Sequence, residues 1–309
     1  MSSKRDNKID LLKGIGALSV IIGHLVNYNG LLKTYIYAFH MPLFFFLTGY
    51  VYSNKQEKFK TYFYKKSKRI LLPYIIYNIL SLLLNTYLGT YIFSEKKEIF
   101  KGIFYTSGQI PWNSSLWFLP VIFWCYLLLY LLKNQKINNK KIIMILCLIV
   151  AIVFSKYNII LPFGLHIVPM SMFFVISANI IKEYDFRNKK LLIISILIFI
   201  HFAYLNKRVN ISTNVYNNYL LYIIVAFSAI NILFFIANII KKNNIIERFG
   251  HYSLFMFCTQ RMLFVIYNKF GIVTGANNYF INFYLIIVTI IIYYLLIIFF
   301  DKLKKLVIK

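Results

Sequence analysis

The sequence predicts an all-α membrane protein that crosses the bilayer about ten times, and three observations support this. Apolar residues make up 60% of the 309 residues, and charged residues only 14%. Apolar runs long enough to span a bilayer recur along the chain. Such segments must satisfy their backbone hydrogen bonds internally, which favours helices. Residues 1–309 are expected to form a single integral-membrane domain without an appended soluble domain.

Ten apolar segments are predicted to be membrane spans. The fifth and the seventh are short for a full crossing and have little room to tilt. In chain order the ten are Ile9–Asn27, Tyr35–Tyr52, Ile70–Phe93, Leu116–Leu132, Ile142–Phe154, Leu165–Ile181, Leu191–Leu205, Tyr219–Ile240, Tyr252–Asn268 and Phe280–Phe300.

The basic residues between these segments alternate in number along the chain. The two termini and every second connection hold about 25 Lys and Arg residues, and the other connections hold about 8. Basic residues accumulate on the cytoplasmic side, so both termini are predicted to be cytoplasmic. The net charge of +26 is therefore a topology signal, and we expect membrane lipids rather than nucleic acid as partners. The eight are Lys33, Lys96, Lys97, Lys101, Lys156, Lys207, Arg208 and Lys269.

The hairpin from Ile9 to Tyr50 carries four ionisable side chains inside apolar segments: Asp10, Lys13, His24 and His40. Such groups cost a few kcal/mol or more in a membrane span, so they usually line a cavity or pathway. We therefore interpret this hairpin as the functional centre of the protein.

Lys13 and His24 are 11 positions apart, which is three helical turns plus roughly 20°. They therefore share one helix face, about 16 Å apart along the axis. The small residues Gly14, Gly16 and Gly23 allow another helix or a ligand to approach this helix closely. The pattern predicts a polar stripe that runs across the membrane.

His24 and His40 are predicted to lie at the same depth, in the outer half of the membrane. A neutral imidazole can take a proton from a hydroxyl and later return it. The alternative is a buried structural histidine that bonds to a neighbouring helix. Candidates for a partner of His24 are Asn27, Tyr28 and Thr48.

Asp10 is too far along the helix to orient His24. It is expected either to pair with Lys13 or to favour the helix N-terminus, where a carboxylate is stabilising.

Four further residues are candidates for the site. The basic run that contains Lys66 and Arg69 either anchors the protein at the membrane surface or binds phosphates. Trp117 fits an aromatic belt at the membrane interface. Arg261 lies inside the ninth span and is expected to face the interior of the bundle.

Several other site classes find no support. The three cysteines all lie in apolar spans, so neither a disulfide framework nor a metal site is expected. No glycine-rich nucleotide loop is present. We see no convincing internal repeat.

These residues resemble the membrane acyltransferase-3 family, and within it the fucose 4-O-acetylase-like branch. The resemblance covers most of the chain, and its most specific part is the first hairpin. Two departures are visible: Lys13 replaces an Arg of the family pattern, and Gln260 stands where many relatives carry His. The matching motifs are Asp10-x-x-Lys13-Gly14, Gly23-His24, the run from Phe39 to Tyr50, the basic-then-Pro-Tyr run from Arg69 to Tyr74, Leu116 to Leu119, and Phe249-Gly250-x-x-Ser253-Leu254.

The resemblance implies transfer of an acyl group, most often acetyl, from a coenzyme A thioester to a hydroxyl of a cell-envelope carbohydrate. Acetyl-CoA would be a co-substrate and no cofactor would be bound. Lys13, Lys66 and Arg69 would hold the phosphates of the donor on the cytoplasmic side. His24 would act as general base or carry the acyl group briefly, and the sequence leaves both mechanisms open.

The acceptor is expected to be a glycan or lipid-linked sugar, and the location a bacterial cytoplasmic membrane. Aromatic packing around Phe44–Phe46 is expected to keep the pathway closed to ions. The main alternative is a flippase or exporter of polysaccharide or lipid-linked sugar, for which broken helices in repeated halves would be expected.

Overall fold

The structure is a computed structural model that describes residues 6–26, 30–54, 56–90, 96–104, 110–240, 242–272 and 278–307. Within these ranges the chain is an all-α membrane protein, as predicted. The helices are α1 (Asn7–Leu25), α2 (Leu31–Tyr50), α3 (Phe59–Lys66), α4 (Leu72–Leu88), α5 (Lys96–Phe104), α6 (Phe118–Leu132), α7 (Ile137–Lys156), α8 (Val168–Ile180), α9 (Lys189–Leu205), α10 (Tyr219–Ile240), α11 (Asn244–His251), α12 (Ser253–Lys269) and α13 (Tyr279–Val307).

Seven helical segments of the described chain are long and apolar enough to cross a membrane. The other three predicted spans fall on α1, α9 and α12, and they stay predictions. Helices α9 and α12 have 17 residues each, and α1 carries charged residues but is largely buried in the bundle. The seven are Leu31–Tyr50, Phe59–Leu88, Ser114–Leu132, Ile137–Lys156, Pro162–Ile180, Tyr219–Ile240 and Tyr279–Leu306.

Two predicted spans have different boundaries in the structure. The fifth is longer than Ile142–Phe154, because the helix includes the polar residues before it and spans Ile137–Lys156. The third was predicted to begin at Ile70, after the basic run. In the structure its helix begins at Phe59, so the basic run lies inside one continuous helix. A π-helical turn at Ser67–Leu71 joins its two parts, with the Leu72 amide donating to the Ser67 carbonyl. Pro73 follows at once and has no amide hydrogen to donate, so the wider turn accommodates it.

Helix α1 lies in the interior because small residues let its neighbours approach the backbone. A Cβ atom on Gly14 would lie 2.0 Å from the Ile246 carbonyl oxygen of α11, and one on Gly250 would lie 1.8 Å from the Asp10 carbonyl oxygen. The predicted close approach at Gly14 is therefore present, and its partner is the short helix α11. This contact fixes α1 along its N-terminal half.

The outer surface of the bundle is apolar. In the most apolar stretch of α7 only 6% of the residues are buried, and the exposed residues of the helix include Ile142, Ile145 and Ile149. Helix α13 is similar, with 22% of the residues in its most apolar stretch buried. Unpartnered apolar faces of this length are what lipid tails cover in a membrane protein.

The two ends of the described chain meet at one end of the bundle. Gly250 of α11 packs on Asp10 near the start of α1, and Tyr252 donates a 2.6 Å hydrogen bond to Asp301 near the end of α13. An even number of crossings would produce this arrangement.

Candidate active site

His24 lies in the last turn of α1, which ends at Leu25. Its Nδ1 atom is 3.2 Å from Nη2 of Arg261 on α12 and 3.4 Å from the Tyr37 hydroxyl on α2. A guanidinium only donates hydrogen bonds, so Nδ1 of His24 is an acceptor here. A neutral His24 ring then carries its hydrogen on Nε2 and keeps the lone pair of Nδ1 directed at Arg261 and Tyr37.

His40 has the opposite arrangement. Its Nδ1 atom lies 2.8 Å from the Ile36 carbonyl oxygen, one turn earlier in α2, and a carbonyl can only accept. The neutral His40 ring therefore carries its hydrogen on Nδ1 and its lone pair on Nε2. The Tyr37 ring packs edge-on against both imidazoles, with centroids 6.2 Å from His24 and 4.9 Å from His40.

Both histidines line one cavity of about 320 Å³, which we call the His24 cavity. Its walls come from the α1–α2 hairpin, the turn before α6, the connection between α9 and α10, and α12. The polar and charged lining residues are His24, Lys33, Tyr37, His40, Ser114, Ser115, Trp117, Arg208, Asn210, Ser212 and Arg261.

A second cavity of about 730 Å³ lies around the N-terminal half of α1, and we call it the Lys13 cavity. Lys13 and Arg69 bring positive charge to it, and Asp6 and Asp10 bring negative charge. The other lining residues are Ile9, Phe44, Leu47, Thr48, Val51, Ile70, Phe118, Ile122, Tyr126, Gly250, His251, Ser253, Leu254 and Phe257.

One layer of aromatic side chains separates the two cavities. The consecutive residues Trp117 and Phe118 line different cavities, and Phe257 lines both. The Phe118 ring packs on Phe257 at 5.0 Å, on Phe45 at 5.4 Å and on Phe44 at 5.8 Å between centroids. The polar stripe predicted along α1 is thus divided, with Lys13 in one cavity and His24 in the other.

The layer differs in one respect from the expected packing around Phe44–Phe46. Phe46 faces the other side of α2, where its ring packs on Phe234 with centroids 5.6 Å apart. Helical geometry explains this, because adjacent residues point about 100° apart. Phe118 and Phe257 take the place that the sequence pattern gave to Phe46.

The predicted site residues divide between the two cavities. His40, Trp117 and Arg261 line the His24 cavity, and Arg261 faces the interior as expected. Asp10 and Arg69 line the other cavity with Lys13.

Lys66 does not line the Lys13 cavity. Its ammonium group lies 3.4 Å from the ring centroid of Tyr126, which does line it. Lys66 therefore lies behind the cavity wall, in contact with one of its aromatic residues, unlike the direct contact that the sequence suggested. The donor roles predicted for Lys13, Lys66 and Arg69 stay predictions.

Of the three partners expected for His24, the described residues include only Thr48. Asn27 and Tyr28 lie outside the described residues. The Thr48 hydroxyl donates to the Phe44 carbonyl oxygen at 2.9 Å and lines the Lys13 cavity, so it cannot orient His24. The partners that the structure provides are Arg261 and Tyr37.

Sequence reasoning also missed Lys33, Tyr37 and Arg208 as lining residues. A signal for two of them was present, since Lys33, Tyr37 and His40 follow an i, i+4, i+7 pattern and share a helix face. Arg208 lies in an irregular connection whose position no local pattern indicates. Gln260 is buried and donates to the Ser115 hydroxyl at 3.3 Å, so it supports the wall of the His24 cavity.

In the described part of the chain, no three His, Cys, Asp or Glu side chains come together as metal ligands would. No curated protein and no solved structure shows significant similarity to the chain. A family profile described as an acyltransferase domain matches residues 6–300, which is nearly the whole chain. With this match, the all-α membrane fold and the divided stripe of α1, the chain belongs to the acyltransferase-3 family and is a membrane acyltransferase.

Proposed function

We propose that this protein transfers an acyl group, most simply acetyl, from a coenzyme A thioester in the Lys13 cavity to a sugar hydroxyl in the His24 cavity. The observation that carries the proposal is the pair of cavities that meet at one aromatic layer, with a histidine on one side and cations on the other. The first-hairpin motif favours the fucose 4-O-acetylase-like branch. The basic connections favour an orientation with the Lys13 cavity on the cytoplasmic side of the membrane, and the composition, rich in Ile, Lys and Asn, favours a bacterial source.

The Lys13 cavity suits the donor. Coenzyme A carries several phosphates on a nucleotide head and a long flexible pantetheine arm. Lys13 and Arg69 supply charge-assisted hydrogen bonds for phosphates, and the apolar wall from Phe44 to Phe118 suits the arm. The thioester reaches His24 when the aromatic side chains between the cavities turn aside.

The His24 cavity suits the acceptor. The sugar hydroxyl takes the place of Arg261 or Tyr37 as a hydrogen-bond donor to Nδ1 of His24, and it gives its proton to that atom. The hydroxyl oxygen then bonds to the thioester carbonyl carbon, and the carbonyl oxygen becomes an oxyanion. When this intermediate collapses, the C–S bond breaks and the thiolate of coenzyme A takes the proton from His24.

Arg261 fits the remaining role in this step. Its Nη2 atom is 3.2 Å from Nδ1 of His24, so it lies beside the atoms that react. A guanidinium that is already in place before the reaction stabilises the oxyanion by donating hydrogen bonds to it as it forms. In the alternative covalent mechanism the acyl group would first bond to Nδ1 of His24, and the same Arg261 position would serve both steps.

The first experiment measures release of coenzyme A from radiolabelled acetyl-CoA by the purified protein in nanodiscs. His24→Ala should lower the rate by about 100-fold or more, the usual contribution of a general base. The matched control is His201→Ala, because His201 is exposed on α9 and lines neither cavity. Normal turnover by a folded His24→Ala variant would rule the mechanism out.

A titration with coenzyme A tests the donor site in the same sample. Lys13→Ala should weaken binding, and Lys13→Arg should retain it because the positive charge remains. If the wild-type protein binds no coenzyme A and instead moves lipid-linked sugar across vesicles, the transport alternative gains support.

A further inference from the structure

Three cationic side chains from three separate elements converge on the His24 cavity. Lys33 comes from the start of α2, Arg208 from the connection after α9, and Arg261 from α12. Lys33 Nζ lies 5.6 Å and Arg208 Cζ lies 5.9 Å from the ring centroid of Tyr37. The Tyr37 hydroxyl and Arg261 meet at the same atom of His24. The three charges therefore lie in the walls of the cavity proposed to hold the acceptor hydroxyl.

This concentration is more than a consequence of the large net charge of the chain. Most basic residues lie in the other set of connections, about 25 against 8, and two of those eight line this one cavity. None of its described lining residues is Asp or Glu. Lys33 is also 7% exposed, so its charge acts in a medium where solvent screens it weakly.

The position of Arg208 is fixed by the connection that carries it. The Asn217 side-chain amide donates to the carbonyl oxygens of Asn206 and Arg208, at 2.8 and 3.0 Å. The Asn206 side chain accepts from the Asn218 amide at 2.9 Å. These hydrogen bonds hold the backbone of the connection in place, and the connection in turn places Arg208 at the cavity.

Holding like charges together at a partly enclosed site costs free energy, and it creates a positive potential that the cavity walls focus. An anionic group bound between them offsets this cost. Arg and Lys side chains recognise phosphate and carboxylate oxygens through charge-assisted hydrogen bonds. A sugar without a net charge would gain no free energy from this positive potential.

We infer that the acceptor is an anionic sugar, whose phosphate or carboxylate group is held by Lys33 and Arg208 while a nearby hydroxyl faces His24. This inference rests on the proposed acyl transfer and specifies its substrate class. The shared chemistry is a cluster of anionic oxygens a few bonds away from the reacting hydroxyl.

The test is a set of matched sugars: methyl α-D-glucoside, α-D-glucose 1-phosphate and methyl α-D-glucuronide. Binding is followed by tryptophan fluorescence, since Trp117 lines the cavity, and acetylation is followed with radiolabelled acetyl-CoA. At least one anionic sugar should bind about 10-fold tighter than the neutral one, and high salt should reduce this preference. A preference for the phosphate or for the carboxylate identifies which anion the site takes.

Three variants assign the preference to the site. Lys33→Gln combined with Arg208→Gln should abolish it, and Lys33→Arg combined with Arg208→Lys should retain most of it. The control is Lys207→Gln, which changes an exposed neighbour of Arg208 that does not line the cavity. Melting temperatures of the variants check that each is folded.

Equal use of the neutral and anionic sugars, or a preference that survives the double Gln variant, would overturn the inference. Acyl transfer would then still stand, because His24-dependent release of coenzyme A is measured separately. Loss of that release would instead refute the proposed function, and the binding preference would still be read from fluorescence.

Discussion

At the scale of single residues, the hydrogen bond between Arg261 and His24 decides which imidazole nitrogen is available. Because Arg261 donates to Nδ1, a neutral His24 offers that nitrogen as the base, and the same nitrogen faces the cavity where an acceptor would bind. Arg261 Nε is itself buried without a hydrogen-bond partner among the described residues. Such an orphaned donor beside a candidate base is consistent with a group that gains a partner during the reaction.

The first prediction concerns Arg261→Gln. The variant loses the charge, and its shorter side chain does not bring the amide donor to the position of Nη2, so the rate of acyl transfer should fall by about 100-fold, the usual effect of removing one oxyanion donor. Binding of coenzyme A should change little, because Arg261 does not line the Lys13 cavity. Single-turnover rates and a coenzyme A titration measure the two effects. A variant that lost donor binding and rate together would assign Arg261 a structural role.

At the scale of helices, the contact between α1 and α11 positions both cavities. The two backbones touch at Gly14 and Gly250, and Gly250 itself lines the Lys13 cavity. A side chain at either position has no space, because the obstructing atoms belong to backbone carbonyls. The short helix α11 thereby holds α1 at a fixed height relative to α12 and Arg261.

The second prediction concerns Gly250→Ala. Its Cβ atom would lie 1.8 Å from the Asp10 carbonyl oxygen, so the helices must separate. We expect a loss of about 1–3 kcal/mol or more in the free energy of unfolding, as overpacking usually costs. The matched control is Gly16→Ala, whose Cβ would meet side chains and no backbone: the Phe44 ring at 2.9 Å, which can turn, and the Leu43 side chain at 3.4 Å, an ordinary contact. Thermal unfolding in detergent compares the two, and equal melting temperatures would contradict the argument.

The sequence predicted the helices well, since an apolar run long enough for a membrane leaves the backbone few alternatives. It also selected His24, His40, Lys13 and Arg261, which line one or other of the two cavities, because a charged or titratable group in such a run is itself a signal. It failed where position depends on tertiary contacts. Arg208 has no local pattern, and its place in the cavity comes from amide bonds across its connection.

The prediction of where the third span begins was wrong for a different reason. The basic run around Lys66 reads as a connection, because charged residues usually lie outside the membrane. The helix continues through it because the π-helical turn before Pro73 preserves the hydrogen bonding. No composition rule predicts such a turn.

At the scale of the whole molecule, the proposed function requires an acyl group to pass between two cavities that the structure keeps apart. Among the described lining residues, Phe257 is the one that both cavities share, and its neighbour Phe118 lines the Lys13 cavity while Trp117 lines the His24 cavity. In the proposed reaction, the aromatic layer has to let a thioester pass and still exclude water and ions. Large rings suit this, because they fill space fully in one rotamer and open a gap in another.

The third prediction therefore concerns Phe118→Ala. Removing this ring should join the two cavities. Liposomes that contain the variant should then leak protons. Acetyl-CoA should also be hydrolysed without an acceptor, because water reaches the thioester. The matched control is Phe46→Ala, which removes an equally large buried ring that lines neither cavity. Both variants should lose about 3–5 kcal/mol of stability, as Phe→Ala changes in cores do. A pH-sensitive dye inside the liposomes and the release of coenzyme A report the two effects. If both variants leak equally, the leak reflects lost stability, and the aromatic layer is not the barrier; leakage by Phe118→Ala alone assigns the barrier to this layer.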